Sequence, residues 1–326
     1  MTPQPAPPTN ANTLTLLSGP LAEFVKYSRA EQSNWLIDIA HDICDPAAMR
    51  GSLFVWKLDT MQWSPVTPTD PLTASVYTYR LPAGVVVGLS KISGRTNKSR
   101  TSVTGNASTM AGRVKRRDGV CWATGVRSPI INSHICPKRM GDHLARIIYR
   151  TFSPTSPPIP NLSIYDERFG LTFSETLDAY FDVYKLGLRA VGVNQYQCHV
   201  FMDDTPGWVY TTSGETRAPT TIPALHGLNA SPPQPHHTSN PPPGLLRWHY
   251  LQCVLDKFGH ADYKVLPNIR YSELSFRAYG DSDDEGTDSE GDWPSVALDC
   301  AHALKATLED DAQRHSVVAG WVESVV

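Results

Sequence analysis

Between Arg117 and Asp182 the chain is punctuated so closely that only short elements fit. Asp118-Gly119 is a turn signal leading into the apolar run Val120–Ala123, and Ile130–Ile135 is a second run of strand character. Residues 141–150 (GDHLARIIYR) have helical spacing. Pro154 to Pro160 then breaks the chain, and Ser174–Tyr184 is a further helix with Ser174 or Thr172 as a suitable N-cap. Short strands that give way to a helix point to the α+β class.

The rest of the chain is divided by composition. At 326 residues there is enough length for two ordinary domains, or one with long appendages. A hydrophobic share of 40% supports a real core, while 27 prolines and a mean hydropathy of -0.29 indicate much loop-like sequence. We expect a disordered lead-in at 1–18, a small α+β region at 19–90 and a basic flexible arm at 91–117. A central unit at 118–205 and a Pro/Thr/Ser-rich linker at 206–243 follow. Then come a helical region at 244–279, an acidic disordered run at 280–294 and a terminal helix or tail at 295–326. Within the first region, 19–44 reads as one or two helices, and 52–56, 76–79 and 85–87 as strands. Residues 188–202 suggest a strand, and Leu245–Phe258 is a helix ended by Gly259.

The formal net charge of -3 conceals a segregation. Every charged residue from Lys91 to Arg117 is basic and every one from Asp281 to Asp292 is acidic. Lys98, Arg100, Arg113, Lys115, Arg116 and Arg117 are therefore candidate phosphate contacts, the alternative being a solvated loop or an import tag at 115–117. The acidic run is a candidate site for protein partners. Six scattered cysteines without a CxxC pair argue against a zinc knuckle. The absence of a signal peptide and of any apolar run near ~18 residues leads us to expect a soluble intracellular protein with reduced thiols, in nucleus or cytoplasm.

The central segment resembles the core of HNH-type nucleases, in the HNH-like form common in fungi, notably basidiomycetes. Cys121, Thr124 and Gly125 match that family's Cys-x-x-Thr-Gly turn, and Ser133-His134-Ile135 with Pro137 matches its Ala-His-Ile-x-Pro strand. Gly170-Leu171, Leu177, Phe181 and Asp182 match its Asn-Gly-Leu … Leu-His-x-x-Phe-Asp helix. The family's Asn falls on Phe169 and its last His on Asp178. Segments at 245–252 and 271–274 also look like ones that recur in fungal relatives.

The resemblance implies a ββα-metal unit around one divalent cation, with His134 as the general base for phosphodiester hydrolysis of DNA. Asp178 would be a replacement metal ligand, with Ser133 and His143 as weaker candidates. Such oxygen-rich ligation favours Mg²⁺ or Mn²⁺ over Zn²⁺. Phe169 cannot orient the base as Asn does. Each assignment has a plainer alternative: His134 as a structural core histidine, Asp178 as an ordinary helical acid, Cys121 and Cys136 as packing groups. His249 and Cys253 have metal-capable spacing but are only two ligands. Two functions stay open, a metal-dependent endonuclease of weak or lost activity, and a catalytically inactive nuclease-fold module that binds nucleic acid or protein.

Overall fold

The apolar spacing of residues 19–44 folds into two helices, because the chain reverses between them. Helix α1 (Leu21–Ser28) ends at Arg29 and α2 (Ser33–Cys44) begins after Gln32, two non-glycine residues with positive φ (48° and 52°). Trp35 locks the pair, stacking on Tyr27 at 6.4 Å and meeting Phe24 edge-on at 6.0 Å. These helices come from a computed structural model of the chain that describes residues 14–82, 105–202, 207–213, 216–261 and 319–321. It is a mixed helix and sheet protein in two compact units, residues 1–91 with 259–326, and residues 92–258.

In the first unit β1 (Leu14–Thr15), β2 (Ser52–Lys57), β3 (Gln62–Pro65) and β4 (Tyr77–Arg80) share a sheet with the C-terminal strand Ala319–Trp321. That strand lies between β1 and β4. The β2–β3 hairpin sets Trp56 opposite Trp63. A strand expected at 85–87 lies outside the described residues. His41 of α2 shares a 2.6 Å hydrogen bond with the Tyr79 hydroxyl, which also accepts the Gly51 N–H at 3.2 Å. This phenol thus joins a helix, a strand and the loop before β2. After α2, the Asp45 carboxylate accepts the Arg50 backbone N–H and both arms of its guanidinium.

The second unit begins with α3 (Gly105–Asp118), a helix where a flexible arm was expected. It continues through β5 (Ile131–His134), α4 (Gly141–Phe152), β6 (Gly170–Phe173) and α5 (Glu175–Asp182). A three-stranded sheet follows, formed by β7 (Leu186–Gly192), β8 (Gln195–Val200) and the short β11 (Asn229–Ala230). The segment expected to be a linker holds β9 (Trp208–Ser213) and β10 (Thr216–Thr221), which form a separate hairpin. Helix α6 (Pro243–Phe258) is buried nearly all round and packs on β7 and α4. No helix among the described residues is long and apolar enough to cross a membrane.

The strand expected at 120–123 is instead a reversal. Gly125 donates to the Cys121 carbonyl at 2.9 Å and has φ +70°, a conformation that glycine adopts without a Cβ penalty. The true partner of β5 is β6, in the register Ile131↔Phe173, Ser133↔Leu171, His134↔Gly170. Four residues that open on a Gly and run into a Ser carry too little pattern to announce a strand. Their pairing with a segment about forty residues earlier is a tertiary event.

In the first unit the Asp45–Arg50 pair makes stability depend on acidity. Burial alone would raise the Asp45 carboxyl, but the hydrogen bonds and charge of Arg50, with the His41 charge, outweigh it and hold the group below its ordinary value. Its contribution is complete above the unfolded aspartate value of about 4 and is lost as pH falls through the lowered folded value. Asp45→Asn is expected to lower the urea midpoint at neutral pH and to have little effect in strong acid. Equal losses at both would show that packing, not charge, holds this corner.

Candidate functional site

The site is built on the β5–β6 ribbon, with α3 on one face and α5 on the other. Side chains alternate along a strand, so the two faces separate the motif residues. On the α5 face the Ser133 hydroxyl donates to Asp178 Oδ1 at 2.8 Å, with both residues buried. Leu171 and Phe173 lie on the same side, and Phe173 meets Phe181 with ring centroids 5.0 Å apart. On the α3 face are Asn132 and Gly170. A Cβ on Gly170 would collide with the Asn132 side chain and press on Met110 and Val114 of α3, so glycine lets the helix approach.

His134 follows Ser133 and pairs with Gly170, which puts it on the α3 face. It is 8% exposed, and its ring meets Tyr165 edge-on at 6.4 Å. The Tyr165 carbonyl accepts the exposed Arg113 guanidinium of α3 at 3.2 Å. By strand alternation His134 and Ser133, the partner of Asp178, belong to opposite faces of the ribbon.

The other motif residues hold structure. Phe169 is fully buried, and its carbonyl extends the ladder by accepting the Ile135 N–H at 2.9 Å. Cys121, Thr124, Cys136 and Pro137 are buried, and the Cys121–Gly125 turn joins β6 through Trp122 N–H to the Thr172 carbonyl, 3.0 Å. Strand β9 docks on the same turn, Thr212 N–H donating to the Thr124 carbonyl at 2.8 Å. Phe181 stacks flat on His249, centroids 3.6 Å apart, and His249 Nε2 donates to the Phe181 carbonyl at 3.1 Å. Cys253 lies 3.7 Å from the other ring nitrogen and hydrogen-bonds the Leu186 carbonyl, so this helical pair is a packing device. Burial, with Cys121 close by, pushes the Cys198 thiol up to about 12. His143 is exposed on the first turn of α4, and Asp182 ends α5.

The described donors do not form an all-protein cation cage: Ser133 Oγ and Asp178 Oδ1 bond each other, and no group of three or more His, Cys, Asp or Glu able to hold a metal occurs among the described residues.

The basic candidates separate just as sharply. Lys98, Arg100 and the acidic run 281–292 lie outside the described residues, while Arg113, Lys115 and Arg116 are exposed on α3. Arg117 is buried, which removes it from any phosphate surface. Its guanidinium makes two bonds to Asp118 (2.7 and 3.0 Å) and donates to the carbonyls of Glu167, Gly170 and Ser239. Asp118 in turn accepts Thr172 N–H and hydroxyl at 3.0 and 3.2 Å. In the sequence Arg117 groups with its basic neighbours, because a charge run shows no helical face until its helix is placed. Trp208 and Tyr210, alternating along β9 and both at least half exposed, are a further surface feature that lies within the supposed linker. Comparison of the chain with family models, curated proteins and solved structures finds no match.

The burial pattern separates two adjacent arginines by experiment. Arg117→Ala leaves Asp118 buried without its counter-charge and is expected to cost about 3–5 kcal/mol in chemical unfolding. Arg116→Ala should change stability by no more than about 0.5 kcal/mol. Similar small effects at both positions would overturn the buried-hub assignment.

Proposed function

We propose that residues 105–258 are an HNH-like scaffold of nuclease descent that binds nucleic acid through its phosphates and has given up cleavage. The antiparallel β5–β6 ribbon with α5 directly after it, His134 ending the first strand and Gly170-Leu171 opening the second, supports descent from a ββα-metal unit, with α4 as an insertion between the two strands. The observation that carries the loss of cleavage is the buried Ser133–Asp178 hydrogen bond. It closes the position the resemblance gives to metal ligands, while alternation turns His134 to the other face. A carboxylate engaged in this way supports the β5–α5 packing.

Binding rests on charge. Residues 92–258 contain 18 Lys and Arg against 11 Asp and Glu, a net of +7 within a chain of net -3. Exposed Arg113, Lys115 and Arg116 share α3, and an array of cations on a rigid helix suits sequence-independent phosphate contact. Cleavage by His134 is the second reading, favoured by its place at the end of β5 beside Tyr165 and the exposed Arg113.

The test is DNA binding as a function of salt, read with plasmid nicking in Mg²⁺ or Mn²⁺. Lys115→Glu with Arg116→Glu is expected to weaken binding to every sequence. For each phosphate that the variant no longer neutralises, the slope of log K against log salt should flatten by about 0.9. The wild-type chain should leave plasmid intact. Nicking that His134→Ala abolishes would establish the endonuclease instead, since a working general base contributes about 10²–10⁴ in rate. An unchanged salt slope would detach α3 from nucleic acid.

A further inference from the structure

The β9–β10 hairpin brings its two largest rings to the surface. Trp208 is 67% exposed and Tyr210 50%, while Val209 between them is buried at 4%. Alternation puts both rings on one face, about 7 Å apart along the strand. Their cross-strand neighbours on that face are Thr221 and Pro219. On the opposite face Val209 is the residue that packs inward. Large exposed aromatic rings in regular spacing on an ordered strand mark an interaction surface, since burial elsewhere would be favourable for them.

Three observations narrow the occupant. The unit that carries the hairpin has a net charge of +7, which repels a second copy and favours a polyanion. A strand containing Pro219 cannot offer a full row of donors, so the face rather than the edge is the usable surface. The hairpin is also tied to the basic part of the unit. Thr212 of β9 bonds Thr124, in the turn that follows α3 by a few residues and precedes the exposed Arg127. The acids closest in sequence, Asp203, Asp204 and Glu215, precede and follow β9, so the face contributes stacking while α3 contributes charge.

We propose that the exposed face of β9–β10 is a stacking platform for unpaired bases, with Trp208 and Tyr210 as its rings, which makes single-stranded nucleic acid the preferred ligand of this unit. Bases expose their π-faces only when they are not paired and stacked in a duplex, so rings of this kind discriminate by strandedness and tolerate any sequence. The proposal rests on the nucleic-acid-binding reading above and adds to it the form of the ligand.

The experiment measures binding of the full chain to a fluorescein-labelled oligothymidylate, to a duplex of equal length, and to linear polyphosphate, which has charge but no bases. Trp208→Ala is expected to weaken oligothymidylate binding by roughly 5- to 150-fold, the range for removal of one base stack, and to leave polyphosphate binding unchanged. Trp208→Phe should recover most of the loss, and Tyr210→Ala should repeat it. The far-ultraviolet circular dichroism of each variant checks that the hairpin is folded. If Trp208→Ala and Tyr210→Ala bind oligothymidylate like wild type while Lys115→Glu with Arg116→Glu does not, the platform is overturned and backbone binding by α3 stands. If the wild-type chain binds none of the three probes, both readings fall. Concentration-dependent self-association that Trp208→Ala removes would assign the face to a second copy and overturn the proposal.

Discussion

The second unit depends on a buried ion pair between sequence neighbours. Arg117 and Asp118 end α3 with both side chains 1% exposed. Withdrawing two charges from water is costly, and their mutual attraction offsets that cost only when the remaining donors and acceptors are satisfied. Here they are met by the surrounding protein: three backbone carbonyls take the guanidinium, and Thr172 donates twice to the carboxylate. The pair therefore gathers the end of α3, the opening of β6 and the loop at Ser239 around one point. With α3 held there, the ribbon face beneath it has space only for a glycine at 170, and the register of β5 against β6 is set.

That register decides the chemistry of the site. Because side chains alternate with a period of two, fixing Ser133 against α5 commits His134 to the face of α3. A one-residue slip would exchange them. The Ser133–Asp178 bond is thus both a consequence of the register and one of its supports, since shifting it would take the Ser133 hydroxyl away from a buried carboxylate. Phe169 is wholly inside the core, where an asparagine amide would need partners that an apolar pocket lacks.

Charge is distributed by unit, and this carries more information than its total. The basic excess of residues 92–258 is outweighed by acids elsewhere in the chain, so a near-neutral sum coexists with two units of opposite net charge. Within the basic unit burial separates the cations again, assigning Arg117 to architecture and leaving Arg113, Lys115 and Arg116 to the solvent. Phosphates respond to exposed density, so the second sorting is what matters for a ligand.

Local pattern was enough for the elements whose signal lies within their own residues. Helices α2, α4, α5 and α6 and strands β2 and β4 follow from apolar spacing and from the Gly and Pro that punctuate it, and the mixed α+β class follows from their alternation. The candidate residues of the central block could also be named from the sequence, because a motif is a local object. Tertiary structure alone decided how they are used. The pairing of β5 with β6, the reversal at Cys121–Gly125, the hairpin of β9 and β10, the helical state of the basic run and the burial of Arg117 all depend on segments distant in the chain. A four-residue strand has too few side chains to specify its partner, and a charge has no fixed environment until something packs over it. Those are the two physical reasons that the sequence could name His134, Ser133 and Asp178 but could not say which face of the ribbon each would occupy.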